Sequence, residues 1–370
     1  MKTKISAYQL FSAIVFVPYG SAVLFFINPE AKQDAWIAIL FYLLPAVILQ
    51  ILYTSLWQKY PDDTIVTYIP KIFGRVIGYL LSLIYIIFFA YEAARVLRDF
   101  TELIAIAVMP KLPLIITSVA LMIPVGYSVF KGIENVYRLT HIFLPLWVFF
   151  FIMEWIFLFT TPHALHFHHL KPVLENGIIT PIKESWKLIT FPYGESILFT
   201  MLFSSVIEVS KIRKAAAFAM IFQGILVALN TIMFISVLGT DFASETLFPL
   251  LQTLRVMKIG EAFDRVDILI VLIMVVGGFI KISFFMYGAM LGTAQLVKLK
   301  DTKYLAIPFS IVVLITSLLI AKNYPQHIFI GQVLTLTYIH LPLAIIIPIA
   351  ALLLYYIKNL IKKRSRTRMK

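Results

Sequence analysis

Long apolar runs separated by short polar stretches organise the whole chain. A helix needs about 20 apolar residues to cross a bilayer. Ten segments reach that length and predict spans 1 to 10, at 7–27, 35–57, 76–108, 113–130, 139–160, 187–209, 216–239, 262–297, 305–321 and 328–357. Spans 3 and 8 exceed 30 residues and are expected to tilt or to protrude. The pattern predicts an all-α integral membrane protein.

Two of these spans contain the same interruption. Residues 17–20 of span 1 read VPYG, and residues 191–194 of span 6 read FPYG. Proline removes a backbone donor and clashes with the preceding turn, and the residue before it is pushed out of helical geometry. Since lipid offers no partners for freed amides and carbonyls, these groups must be satisfied within the protein. Spans 1 and 6 are therefore predicted to be broken helices.

The topology relates the two interruptions to each other. Ten spans divide into five plus five, and an odd number per half makes the halves run in opposite directions. We expect inverted repeats at about 5–160 and 178–357, within one transmembrane domain that covers 1–370. Matched Gly/Pro interruptions in such repeats are typical of a binding site at the membrane midplane. The alternative is a pair of simple proline kinks.

Composition and charge support a membrane protein and orient it. The chain is 61% hydrophobic and 14% charged, with a mean hydropathy of +0.91. With the N-terminus inside, most Lys and Arg fall in inner loops and in the basic tail 358–370, which predicts that both termini are cytoplasmic. The net charge of +13 is then explained by positive loops and by a tail anchored to anionic lipid, and no nucleic acid is expected.

Several chemistries have no residues or motif here. The sequence has no cysteine, which excludes disulfides, thiolate metal sites and cysteine nucleophiles. It has no Walker A loop, dinucleotide-binding turn or zinc-protease motif, which argues against ATP-driven transport and most enzyme classes. Four histidines at 162–169 lie in an outer loop and are interpreted as exposed. We expect no enzyme activity, no metal and no cofactor.

Two charged residues lie deep in the predicted membrane. Glu195 directly follows the second interruption, where it could attract a ligand ammonium, donate a hydrogen bond if protonated, or cap freed amides. Lys281 lies about 20 residues into span 8 and shares a helix face with three glycines, Gly277, Gly288 and Gly292, so it should point into the protein. Its ammonium could replace a coupling cation between spans 1 and 8, or it could pair with a glutamate.

Span 3 carries further charges, namely Glu92, Arg95, Arg98, Asp99 and Glu102. The spacing predicts i, i+4 pairs between Arg95 and Asp99 and between Arg98 and Glu102. We interpret this stretch as the ion-paired outer end of a long helix, with an outer vestibule or a partner contact as the alternative. Glu154 in span 5 and Glu208 in span 6 are expected to be paired structural groups.

Four stretches resemble a known family. They read LRDFTELIAIAVMPKLP, FKGIENVYRLTHIFLPLW, TFPYGESILFTMLF and FDRVDILIVLIMVVGGFIKISFFMYG. Their order and topology are similar to those of the spore germination permeases, the B subunits of GerA-type germinant receptors. The resemblance covers nearly the whole chain. It implies the amino acid–polyamine–organocation superfamily, with a LeuT-like fold of five plus five helices and broken helices 1 and 6.

The resemblance also implies a role and a site. It implies a sensor of a small nutrient germinant, with an amino acid as the first candidate, in the inner membrane of the spore beside A and C subunits. The ligand would lie between broken spans 1 and 6 and spans 3 and 8. Carried over to this sequence, the ligand-binding positions are Val17, Pro18, Tyr19, Gly20, Ser21, Tyr91, Glu92, Phe191, Pro192, Tyr193, Gly194, Glu195, Phe284 and Tyr287, with Lys281 as a coupling or structural charge. The alternative function is a proton-coupled amino-acid permease.

Overall fold

Eight long apolar helices form most of the protein. The computed structural model describes residues 4–257 and 266–368. Within these ranges, eight helices have the length and composition needed to cross a membrane, and they correspond to predicted spans 2 to 5 and 7 to 10. They are Pro29–Trp57, Arg75–Ala107, Leu114–Lys131, Ile133–Thr160, Val209–Leu238, Ile270–Leu296, Thr302–Leu319 and Tyr324–Lys363. The prediction of an all-helical membrane protein is confirmed.

Short helices connect the spans. Ile65–Phe73 precedes span 3, and Phe167–Leu170, Ile179–Glu184 and Trp186–Ile189 lie between spans 5 and 6. Thr240–Glu245 and Pro249–Val256 follow span 7. Span 10 changes its winding along its length: Tyr324–Phe329 is α-helical, Ile330–Ile346 is π-helical and Ile347–Arg368 is α-helical again.

Span 1 is a short helix followed by non-helical backbone. It covers Ala7–Ala22, and a capping box between Ser6 and Gln9 fixes its start. Pro18 lies inside the helix, and residues 23–28 leave helical geometry. The prediction that the helix breaks within VPYG is therefore wrong by about one turn, although span 1 is interrupted.

Contacts of the two residues that follow Pro18 with other spans explain why the helix continues through the proline. The side-chain amide of Asn230 donates to the Tyr19 hydroxyl over 2.8 Å. Gly20 lies against the backbone of Gly277 so closely that a Cβ added there would be 3.2 Å from the Gly277 carbonyl oxygen. These contacts with spans 7 and 8 hold the proline-containing turn in place, which a local rule about proline does not include.

Span 6 is interrupted along most of its length. A cis peptide bond joins Phe191 to Pro192. Tyr193–Met201 and Phe203–Ser205 form 3₁₀-helices, and the backbone is extended at Val206. Spans 1 and 6 are thus the two predicted spans that do not form a continuous helix of 18 residues or more in the described chain. The prediction that these two spans are broken is confirmed.

The two broken spans are joined where span 1 begins and span 6 ends. The Ile5 amide donates to the Ser205 carbonyl over 3.0 Å, and the Ile207 amide donates to the Ile5 carbonyl over 2.9 Å. Glu208 accepts from the Ala7 amide over 2.9 Å, which caps the first helix as a carboxylate at a helix N-terminus does. Glu208 is a paired structural group, as predicted.

Span 8 packs against spans 1, 3 and 6 through glycines on one face. A Cβ at Gly288 would meet Leu198 of span 6, and one at Gly292 would meet Ile86 of span 3. Lys281 lies on the same face and is fully buried. The prediction that this lysine points into the protein is confirmed.

Candidate ligand site

A buried ion pair lies at the point where spans 1, 6 and 8 meet. The Lys281 ammonium nitrogen is 2.7 Å from Glu195 Oε1 and 2.6 Å from Glu195 Oε2. The same nitrogen donates to the Ser21 hydroxyl over 2.6 Å. An ammonium has three protons to donate, and three oxygen atoms receive them. Of the alternatives for Lys281, the pair with a glutamate is the one observed.

Aromatic rings complete the surroundings of the ammonium. The ring centroids of Phe191 and Phe285 lie 5.4 and 5.8 Å from the Lys281 nitrogen, within the range of cation–π attraction.

Glu195 is 1% exposed, and in the described residues it accepts hydrogen bonds from Lys281 alone. A charge this deeply buried is costly unless it is paired and hydrogen-bonded. Each member of the pair therefore depends on the other.

A small cavity borders the ion pair on the side of span 3. Its volume is about 50 Å³, enough for water-sized occupants but far below the 300–1,000 Å³ that is usual for ligand pockets. Spans 1, 3, 6 and 10 supply its walls. The lining residues are Ser21, Phe25, Glu92, Arg95, Val96, Asp99, Phe191, Glu195, Ile328, Gly331, Gln332, Thr335, Leu336 and His340.

A second acid–base pair joins spans 3 and 10 at this cavity. His340 Nε2 is 3.0 Å from Glu92 Oε1, and His340 Nδ1 is 3.4 Å from the Thr190 carbonyl oxygen. Both residues are buried. Since both ring nitrogens face acceptors, an imidazolium that donates twice satisfies the geometry.

The charged stretch further along span 3 also contacts span 10. Asp99 Oδ1 accepts from the Tyr324 hydroxyl over 3.4 Å and lies 3.0 Å from His327 Nε2. Arg95 donates to the His327 carbonyl oxygen over 3.3 and 3.4 Å. The predicted Arg95–Asp99 pair is therefore wrong, because span 10 provides partners for both residues.

The other predicted pair in this stretch is present. Arg98 and Glu102 form an ion pair at 2.8 Å. Of the two predicted ion pairs in this stretch, this one alone is observed. Glu92, Arg95, Arg98 and Asp99 are all buried, because spans 9 and 10 cover this stretch of span 3; Arg98 donates to the Ser317 carbonyl of span 9.

Glu154 differs from the expectation. It is buried in span 5, yet no hydrogen bond or ion pair to its carboxyl group is found in the described parts of the chain. The expected pairing of Glu154 is therefore not found among the described residues. The sequence shows a carboxylate in an apolar span, but it does not show whether a cation on another span can reach it.

A larger cavity opens at the end of the molecule that holds both termini. Its volume is about 630 Å³. Its walls include Ser205 at the end of span 6, Tyr287 and Gln295 of span 8, and the loop residues Asp62 and Lys300. In the predicted orientation this is the cytoplasmic side. Phe284 lies on span 8 between this cavity and Lys281, in edge contact with Tyr137 at 4.7 Å between ring centroids.

The residues expected to bind ligand fall into three groups. Ser21, Glu92, Phe191 and Glu195 line the central cavity, and Lys281 bonds to two of them. Tyr287 faces the larger cavity instead. The remaining positions, which pack around the spans without lining either cavity, are Val17, Pro18, Tyr19, Gly20, Tyr91, Pro192, Tyr193, Gly194 and Phe284.

Three of these packing residues make specific contacts. The Tyr193 hydroxyl donates to the Ile39 carbonyl over 2.9 Å. The Tyr91 hydroxyl lies 2.9 Å from the Thr335 hydroxyl. A Cβ at Gly194 would be 2.9 Å from the Ile189 carbonyl oxygen, so the glycine permits a close backbone approach.

Span 10 supplies the part of the site that the sequence did not predict. Six residues of this span line the central cavity, Ile328, Gly331, Gln332, Thr335, Leu336 and His340. A signal was present, because an ionisable residue inside an apolar span is a functional candidate, and His327 and His340 are two. The π-helical stretch that carries five of the six is a type of winding that often occurs at functional sites.

Comparison with known proteins assigns the chain to a family. A sequence profile described as spore germination protein matches residues 4–325. The chain belongs to the spore germination protein family. Spore germination protein KB of Bacillus subtilis (strain 168) is 35% identical over 371 residues, which cover 100% of this chain and 98% of that protein. Spore germination protein XB of Bacillus anthracis is 24% identical over 259 residues, 70% of this chain and 71% of that protein.

Solved structures show the fold of this family member. A nucleobase-cation-symport-1 family transporter, Mhp1, solved in a closed conformation with bromovinylhydantoin bound, has a TM-score of 0.66 at 13% identity. That match covers 94% of this chain and 78% of Mhp1. MhsT in complex with L-phenylalanine also has a TM-score of 0.66 at 13% identity, covering 96% and 99%. Both are LeuT-fold transporters, and the predicted fold class is confirmed.

Proposed function

We propose that this protein is the ligand-sensing subunit of a spore germinant receptor. It binds a small nutrient, with an amino acid as the first candidate, at the central cavity. One observation carries the proposal. The interruptions of spans 1 and 6 converge on the buried Lys281–Glu195 pair, with Ser21 as a third partner. The pair borders a small cavity, the arrangement expected of a midplane binding site.

The ion pair gives the site a way to respond to a ligand. Glu195 has no other hydrogen-bond donor in the described residues, so a ligand ammonium that binds it must compete with Lys281. Displacement of the lysine would also release Ser21 at the end of the span 1 helix. If the ligand binds more tightly to the conformation in which Lys281 is displaced from Glu195, it shifts the population of the protein toward that conformation.

The remaining parts of the proposal rest on the family resemblance. The protein would act in the inner membrane of the spore, beside A and C subunits. The cytoplasmic position of both termini rests instead on the distribution of Lys and Arg. Eight apolar helices support its place in a lipid bilayer.

Binding to the purified protein tests the sensor function. We expect a nutrient from a germinant panel to raise the midpoint of thermal unfolding in detergent, since a ligand that binds the folded state stabilises it. Spores that carry Glu195→Gln should lose the response to the same nutrient. Glu102→Gln is the matched control, because Glu102 pairs with Arg98 away from the central ion pair. A normal response of the Glu195→Gln spores would contradict a site at this glutamate.

One observation favours the permease alternative. The cavity of about 630 Å³ on the predicted cytoplasmic side is large enough for a solute, and a transporter needs such an exit. Uptake of labelled amino acids by proteoliposomes tests this function. Concentrative uptake driven by a proton gradient would support the permease, whereas absence of uptake with intact binding would support the sensor.

A further inference from the structure

Among the described residues, Arg95 is a buried cation without an acidic partner. The residue is 9% exposed and lies on the wall of the central cavity. No carboxylate oxygen lies within ion-pairing distance of it in the described ranges. Arg is rarely buried unless it is paired, so this position stands out among the charges of span 3.

Most of its hydrogen-bonding capacity is unused. A guanidinium carries five N–H donors in a planar fork, and Arg95 uses two nitrogens on a single acceptor, the His327 carbonyl oxygen, at 3.3 and 3.4 Å. These distances are long for charge-assisted bonds, which are usually 2.7–2.9 Å.

The carboxylates around the cavity are already engaged. Glu92 pairs with His340, Asp99 with His327 and Glu195 with Lys281. Arg95 is therefore the cation that remains for an acidic group from outside the chain. The planar fork fits a carboxylate with two parallel hydrogen bonds.

Gly331 of span 10 leaves room for the guanidinium. A Cβ at this position would lie 1.9 Å from one terminal nitrogen of Arg95. Any larger residue at 331 would push the fork away from its place. The absence of a side chain at 331 thus keeps the guanidinium on the cavity wall.

A neighbouring cavity offers space for the rest of a ligand. It has a volume of about 70 Å³ and shares three lining residues with the central cavity, Phe191, Gln332 and Leu336. These side chains separate the two spaces. Since both cavities are small, a change in the conformation of these side chains would be needed to create one pocket for a whole ligand.

We infer that Arg95 binds a carboxylate of the nutrient ligand, between spans 3 and 10. The inference deepens the proposed function and rests on it. It restricts the ligand class to small carboxylates such as amino acids, and it excludes neutral sugars and nucleosides as occupants of this position.

Binding of amino acids and their carboxamides to the purified full-length protein tests the inference. The panel consists of the twenty standard L-amino acids, D-glucose and inosine, and each amino acid that binds is compared with its carboxamide. If Arg95 forms a hydrogen-bonded charge pair with the ligand carboxylate, each carboxamide should bind about tenfold more weakly than its acid, or more weakly still. Arg95→Lys and Gly331→Ala should each weaken binding of the acid by a similar factor.

Matched variants separate ligand binding from a structural role. Arg98→Lys keeps a buried cation on the same span, outside the cavity, and Gly288→Ala adds a Cβ against the end of a flexible side chain, that of Leu198. Both should bind the acid like the parent protein. Arg95→Lys should not further weaken the binding of the carboxamide, because the carboxamide already lacks the charged pair with Arg95 that this substitution removes. A purely structural arginine would weaken acid and amide equally.

The outcomes distinguish the inference from the proposed function. A carboxamide that binds as tightly as its acid overturns the inference. Binding of glucose or inosine without any amino acid also overturns it, while the sensor function stands. No binding by any member of the panel overturns both.

Discussion

The central ion pair predicts a large coupling between two substitutions. Lys281→Met leaves the Glu195 carboxylate buried without any of its donors, since both of its oxygens bond to Lys281 at 2.6–2.7 Å. Removal of one member of a buried pair costs about 3–5 kcal/mol of unfolding free energy. Glu195→Gln should cost a similar amount, because the ammonium then loses its opposite charge and keeps only neutral acceptors, the Ser21 hydroxyl and the glutamine carbonyl oxygen.

The double variant should recover most of this loss. Replacement of a buried ion pair by hydrophobic residues of similar volume is often neutral or stabilising. With Lys281→Met and Glu195→Gln combined, no charge remains unpaired, so the double variant should be more stable than either single variant and should fall below the parent protein only by the cost of the buried glutamine amide, about 1–3 kcal/mol. We expect a coupling free energy of about 3 kcal/mol or more.

Unfolding in mixed micelles measures these values. The protein has five tryptophans, whose fluorescence can report unfolding as sodium dodecyl sulfate is added to a mild detergent. Lys71→Met and Asp63→Asn provide the control cycle, since this pair lies at 2.5 Å with the Lys71 side chain 53% exposed. Exposed pairs couple by about 0.2–1 kcal/mol. If the Lys281 and Glu195 effects add to within about 0.5 kcal/mol, the two groups do not depend on each other and the reasoning fails.

Three further substitutions test other parts of the site. Gly194→Leu should abolish the nutrient response of spores at normal protein abundance, because its Cβ would lie 2.9 Å from the Ile189 carbonyl oxygen; a normal germination rate would contradict a role for this backbone approach. Gly20→Ala should lower stability in mixed micelles by about 1–3 kcal/mol, since its Cβ would crowd the Gly277 backbone at 3.2 Å; unchanged stability would show that spans 1 and 8 can separate freely. Glu154→Gln should leave stability unchanged or raise it, because a buried carboxyl without a partner is costly; a loss above about 1 kcal/mol would reveal a cation that pairs with it.

The sequence predicted which spans are interrupted and which charge points inward. Proline and glycine act on their own backbone, and a lysine deep in an apolar run has to avoid lipid. Both signals are local, so spans 1 and 6 and the orientation of Lys281 followed from single stretches. The point at which span 1 ends did not follow, because contacts of Gly20 and Tyr19 with other spans keep the helix intact to Ala22.

Partner assignments depended on how the spans cross. Lys281 and Glu195 are 86 positions apart, and their contact exists because spans 6 and 8 approach each other at that depth. The Arg95–Asp99 pair follows from helix spacing, yet span 10 offers each residue a different partner. Helix spacing predicts which side chains can meet along one span, but it does not predict competition from another span.

Paired charges explain how this interior can be both polar and stable. Water is absent from the bilayer core, so a buried carboxylate is costly in its ionised form unless the protein supplies a partner. Glu92 and Asp99 of span 3 find partners on span 10, and Glu195 of span 6 finds one on span 8. Each pair crosses from one span to another, so it fixes the relative position of two spans as well as neutralising charge. A ligand that draws one partner away therefore loosens a contact between spans, which is the physical link between binding and movement that a sensor requires.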